Sequence, residues 1–267
     1  MFAALKKLLS AAHRSRRWSE AAAWARSQNA VLKPIRDQDG FVIEGESQGR
    51  AWRLEWGPSR RIYIPGPELR LIAHDALPPE MLLLAANRHL AAEMEKTVFE
   101  QFTGAVQTRA DLNTPEEMRW LVMIPKVPAS DVPKVRTHWM ALASHVPWMV
   151  HWLNSSLGDA LGAHYPQHSP VTHPAVWVGL RGKLTLRTGL ATPTAAALDY
   201  WLKLFTLATA QAAQVGLAPP PAPDSRSDLD ASTTPALWMP SQMPTLPIGD
   251  TDDAPRPPQG HGSQPVH

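Results

Sequence analysis

The longest regular alternation of apolar and polar side chains runs from Arg50 to Trp56, with Trp52, Leu54 and Trp56 on one face and Ala51, Arg53 and Glu55 on the other. A period of two marks a half-buried strand. Gly57-Pro58-Ser59 then turns the chain, Ile62 and Ile64 alternate with Arg61 and Tyr63, and Pro65-Gly66-Pro67 turns it again. Leu69, Leu71 and Ala73 follow, alternating with Glu68, Arg70 and Ile72. The pattern predicts an antiparallel meander of three short strands with one apolar face. Upstream, Val31 to Ile35 and Phe41 to Glu44 are short extended segments on either side of the turn Asp37-Gln38-Asp39-Gly40. Downstream, the apolar run Met81 to Ala85 fits a buried strand.

From Asn87 the period changes. Leu90, Met94, Val98 and Phe102 recur every four residues until Gly104, which predicts a helix. Thr114-Pro115-Glu116-Glu117 carries helix-start chemistry. The run Trp120 to Ile124 that follows ends at Pro125 and reads better as a turn feeding a buried strand than as a two-turn helix. Trp139 to Ser144 predicts another strand, and Met149, Trp152, Leu153, Leu157 and Leu161 define one amphipathic helix. Val176 to Leu180 and Lys183 to Leu190 flank Arg181-Gly182 as a hairpin. Thr192-Pro193 opens a last helix whose apolar face is Leu198, Trp201, Leu202, Phe205, Ala208 and Ala212, and a short helical piece is expected between Ser19 and Asn29. The expected fold is α+β: an antiparallel or mixed sheet, meander plus hairpin, with amphipathic helices packed on one face. Each half of the chain holds a hairpin followed by a helix, which raises an internal duplication, although the halves do not align residue by residue.

Composition suggests the boundaries. Twelve of the 27 prolines fall within residues 218–267, which are also acidic and poor in aromatics, so a disordered proline-rich acidic tail is expected. Its one aromatic, Trp238, sits in Ala236-Leu237-Trp238-Met239-Pro240 and is a candidate anchor for a docking peptide. At the other end, Phe2, Leu5, Leu8, Leu9 and Ala12 share a face while Lys6, Lys7, Arg14, Arg16 and Arg17 lie elsewhere. Such a basic amphipathic helix suits docking on the body, a membrane surface or an organellar targeting role. The expected organisation is an N-terminal helical segment (1–29), an α+β domain (30–217) and the tail (218–267). The net charge of +2 is unevenly distributed. Residues 1–70 hold 13 Lys/Arg against 7 Asp/Glu, residues 71–217 hold 11 of each, and residues 218–267 hold 2 against 6.

The absence of cysteine excludes disulfides, Cys-ligated zinc, iron–sulfur clusters and thiol nucleophiles, and fits a cytoplasmic setting. No stretch approaches the roughly 20 apolar residues of a transmembrane helix. Among the eleven histidines, His145 and His151 straddle Pro147 and His164 and His168 straddle Pro166, and neither pair has the spacing of a helical zinc site, so no metal and no cofactor is expected. No nucleophile elbow occurs, and Gly179-Leu180-Arg181-Gly182-Lys183 belongs to a hairpin rather than to a phosphate loop. The most distinctive polar patch is Arg53, Arg61 and Arg70 on successive strands, with Tyr63 beside them; Glu55 and Glu68 are available on the same faces as internal partners. The expectation is a non-catalytic protein-interaction or adaptor module. Arg53, Arg61, Tyr63, Arg70 and Trp238 are its candidate contacts, its partner is an unidentified protein, acidic where it meets the arginines, with nucleic acid not favoured, and its free sheet edges allow a homodimer. Two alternatives stand beside it: an enzyme, such as a hydrolase, built on His74, Asp75 or Arg109, and peripheral membrane association through residues 2–17.

Overall fold

The computed structural model describes residues 18–36, 38–103, 114–164 and 174–217. Strands are β1 (Val31–Pro34), β2 (Phe41–Ser47), β3 (Arg50–Pro58), β4 (Pro67–Ala73), β5 (Leu83–Asn87), β6 (Trp139–Ala143), β7 (Ala175–Leu180) and β8 (Lys183–Gly189). Among the described residues the helices are α1 (Ser19–Ser27), α2 (Arg88–Thr103), α3 (Glu116–Met123), α4 (Val146–Leu153), α5 (Ser156–His164) and α6 (Ala195–Leu217). The eight strands form one sheet in the order β1-β2-β3-β4-β8-β7-β5-β6, with every neighbouring pair antiparallel. The fold is α+β, as the alternation predicts. The late hairpin β7–β8 enters the middle of the sheet, where β8 pairs with β4 and β7 pairs with β5.

Both two-residue hairpin turns place consecutive residues at positive φ: Gln48 and Gly49 (54° and 74°), and Arg181 and Gly182 (51° and 75°). Turns of this hand match the right-handed twist of the flanking strands, and glycine adopts the second position without a Cβ clash.

The main core lies on one face of the sheet, under α1, α4, α5 and α6. Nine of the eleven tryptophans are in it, namely Trp18, Trp24, Trp52, Trp56, Trp139, Trp148, Trp152, Trp177 and Trp201. Several tie elements together by donating their indole N–H: Trp56 to the Leu190 carbonyl (2.8 Å), Trp152 to Ala208 in α6 (3.0 Å) and Trp139 to Leu161 in α5 (3.2 Å). Trp177 stacks on Phe205 and meets Trp152 edge-on, so β7, α4 and α6 share one aromatic cluster. Glu20 of α1 accepts the Ala195 N–H at the start of α6 (2.8 Å), a favourable place for a carboxylate.

A second, smaller core extends the architecture onto the other face. There Leu84, Ala86, Leu142 and Val176 point away from the main core and are covered by Leu90, Ala91, Met94 and Val98 of α2 and by Met118, Trp120 and Leu121 of α3.

The structure departs from the sequence expectations at three places. Residues 62–64 are not a strand: the Ile64 N–H bonds the Arg61 carbonyl (3.1 Å), and Glu68 accepts both the Arg60 N–H and the Ser59 hydroxyl, which bends residues 59–66 into a loop. Residues 120–123 are helical rather than extended, because α3 begins directly after Pro115 and turns Met118, Trp120 and Leu121 onto the second core, while β6 and β7 already flank β5. The single helix expected over 149–161 is two. The Ser155 hydroxyl donates to the Trp152 carbonyl (2.6 Å) and accepts the Leu157 N–H (3.2 Å), closing one helix and capping the next. The N-terminal amphipathic segment and the acidic tail lie outside the described residues.

Candidate functional site

Two features of the second sheet face bear on function, a charged lattice over β2, β3, β4 and β8 and an apolar groove beside α2 and α3.

The lattice follows from strand register. Glu44 stands opposite Arg53, Glu55 opposite Arg70, and Arg70 opposite Arg187. Arg53 donates to Glu55 (2.6 Å) and to Glu44, Lys33 donates to Glu44 (2.9 Å), and Arg70 bonds the other oxygen of Glu55. The juxtaposed Arg70 and Arg187 would repel each other. Glu55 answers the first and Glu68, which is only 2% exposed, bonds the second. Burial pushes the Glu55 carboxyl up, but the Arg53 hydrogen bond and the charges of Arg70, Arg53 and Arg60 outweigh it and hold it below the usual glutamate range.

Glu117 on α3 joins the lattice side to the apolar side. It accepts the Tyr63 hydroxyl (2.6 Å) and is paired with Arg61, both from the 59–66 loop. Burial raises this carboxyl too, yet the hydrogen bonds from Tyr63 and Arg61 and the Arg61 charge leave it lowered. Burial, and then the Glu117 charge, hold the Tyr63 phenol well above its ordinary value and therefore protonated.

The structure thus brings Arg53 and Arg70 together on adjacent strands and puts Arg61 and Tyr63 in the loop beside them, with each guanidinium bonded to a carboxylate of the fold. Trp238 and Arg109 lie outside the described residues. His74 and Asp75 are exposed in the turn after β4, with Asp75 at φ +51°. His145 caps α4, its Nδ1 accepting the Trp148 N–H (3.2 Å). Among the described residues no three His, Asp or Glu side chains are grouped to hold a metal ion, and no helix is long and apolar enough to cross a membrane.

The groove was not foreseen from the sequence. It has a volume of about 610 Å³ and is lined by Ala92, Val98 and Phe99 of α2 and Leu121 and Val122 of α3, with Glu95, Lys96 and Lys126 at its edges. Phe99 and Val122 are each 67% exposed, and Met123, next to Val122, is 76% exposed. The signal was present: once Glu117, Met118, Trp120 and Leu121 fill the inner face of a helix, Val122 and Met123 must point outward. Reading 120–124 as a strand concealed it. On the far side of α2, a separate depression of about 380 Å³ lies among Tyr63, His89, Glu93 and Pro174.

Comparison of the chain with protein-family models, with curated proteins and with solved structures finds no match.

Proposed function

We propose that the protein is a non-catalytic, cytoplasmic protein-interaction module and that the groove between α2 and α3 is its capture surface. The observation that carries the reading is the exposure of Val122 and Met123 beside a groove whose floor is apolar. Large apolar side chains grouped on an otherwise polar surface are the usual mark of a docking site. The charged lattice supports the same reading by contrast, since its carboxylates and guanidinium groups already engage one another.

The test is site-specific photo-crosslinking in cells, with a benzophenone side chain at Val122 and, as control, at the exposed Lys203 on α6. The expected result is a discrete protein adduct from position 122 that disappears when Met123→Asp is added and is missing from position 203. Equal labelling from both positions would remove the basis for the reading.

A further inference from the structure

Three segments meet around the depression on the far side of α2: the 59–66 loop, α2 itself and Pro174 just before β7, enclosing about 380 Å³. The polar wall on α2 is one stripe, because His89, Glu93 and Thr97 recur at i, i+4 and i+8. Ile62, Pro65, Leu90 and Pro174 supply the apolar remainder. What this wall can offer a ligand follows from where its protons already go. The Tyr63 hydroxyl donates to Glu117 (2.6 Å) and the Thr97 hydroxyl to the Glu93 backbone carbonyl (2.9 Å), so neither has a proton left to give. The Glu93 carboxylate only accepts, is exposed, and has no ionic partner among the described residues. His89 alone among these side chains can both donate and accept. The neighbouring cations are engaged or turned elsewhere: Arg61 with Glu117, Arg187 with Glu68, Arg88 with the Arg136 carbonyl (2.7 Å), and Lys96 in the wall of the groove on the other side of α2. The depression is therefore a small, half-apolar recess whose side chains are mainly acceptors and whose one wall charge is negative.

We infer that this recess binds a protonated amine carried on a compact apolar body, with the ammonium beside Glu93 and the body against Ile62 and Leu90. An ammonium has three donors and no acceptor, which complements a wall of acceptors and one carboxylate. The volume is at the lower end for ligand sites and suits a single ring or a short chain. A free amine and the side chain of a lysine on another molecule share this chemistry. The site is separate from the groove between α2 and α3 and does not depend on what the groove binds.

The experiment is ligand-observed NMR titration of the full chain with benzylamine, N-acetyl-lysine amide, the neutral isostere benzyl alcohol, the anion benzoate, and zinc ion. Benzylamine is expected to bind, benzyl alcohol to bind about fivefold more weakly, and benzoate not to bind. Glu93→Gln should weaken benzylamine about fivefold, Ile62→Trp should abolish its binding by filling the recess, and Glu100→Gln, exposed on α2 outside the wall, should leave it unchanged. Tighter binding of N-acetyl-lysine amide than of benzylamine would support the inference with a lysine side chain as the source, and the reverse order would support it with a free amine. Failure of both amines to bind, equal binding of benzylamine and benzyl alcohol, or binding of benzoate at this site would overturn it. An amine affinity unmoved by Glu93→Gln and Ile62→Trp would overturn it as well. Zinc binding lost in Glu93→Gln, with neither amine bound, would assign His89 and Glu93 to a metal instead. The thermal midpoint of each variant, expected to match the parent because the substituted side chains are exposed, separates loss of binding from loss of fold.

Discussion

The second face of the sheet is finished differently at its two ends. Over β3, β4 and β8 it is closed by charges that satisfy one another within the register: Glu55 between Arg53 and Arg70, and Glu68 with Arg187. Over β5, β6 and β7 it is closed by two helices, whose apolar inner faces are buried while Val122 and Met123 remain in water. A half-buried charge is tolerated only when its partner is supplied, so a paired lattice is self-contained. A helix laid on a sheet buries one stripe, and any apolar residue beyond that stripe stays exposed for something else to cover. The charged end therefore bears on stability, and the helical end offers a surface.

Breaking the lattice at its most buried point should have the largest effect. Glu68→Ala leaves Arg187 beside Arg70 and removes the acceptor for Ser59 and Arg60, and should cost about 3–5 kcal/mol in urea unfolding. Replacing both partners, Glu68→Leu with Arg187→Met, should recover most of that loss; if the double variant is as unstable as the single one, the lattice is not a pairwise arrangement. At the apolar end, Met94→Ala opens a cavity under α2 at a fully buried position and should cost about 2–4 kcal/mol, with a salt-independent midpoint.

Acid sharpens the contrast further. Glu55 and Glu117 have lowered folded-state values, so their contribution is complete above the unfolded value near 4.5 and is lost as pH falls through the lower folded values. The urea midpoint should stay level from neutral pH to about 5 and then drop, and Glu117→Gln should shallow the drop at the cost of a lower midpoint at neutral pH. A drop that begins near neutrality would mean that other groups control it. Smaller again, Glu44→Gln removes two pairs at the exposed edge of the lattice and should change stability by no more than about 1 kcal/mol, less in high salt. Val122→Asp should leave stability within about 0.5 kcal/mol while removing binding at the groove.

Much of the sheet was readable in advance because a period of two needs only the side chains themselves. The alternations at 50–56 and 69–73 and the Arg181-Gly182 turn each specify a local conformation and its inner face, and β3, β4 and the β7–β8 hairpin follow them. Two of the failures came where a pattern was short or uniform, and the third, the break in the helix expected over 149–161, came from the Ser155 hydroxyl, which a hydrophobic period does not register. Three residues at 62–64 cannot distinguish a strand from a loop, and the deciding contact, Glu68 accepting from Arg60, spans eight residues. The run at 120–124 is apolar throughout and carries no period of its own; the helix start at Pro115, together with β6 and β7 already flanking β5, made it helical.

The candidate site shows the same division. Sequence placed Arg53 and Arg70 on one polar face and noted Glu55 and Glu68 as potential partners. It had no means of bringing Arg187, far along the chain, next to Arg70, because that neighbour exists only once β8 pairs with β4. The amino-acid sequence by itself determined the α+β class, the faces of the longer strands and helices, and the exclusion of cysteine chemistry, all of which depend on local periodicity and composition. The strand order, the pairing of the charges and the exposed stripe beside α3 were decided by the tertiary structure, because whether a side chain is paired, buried or left in water depends on which distant element occupies the space beside it.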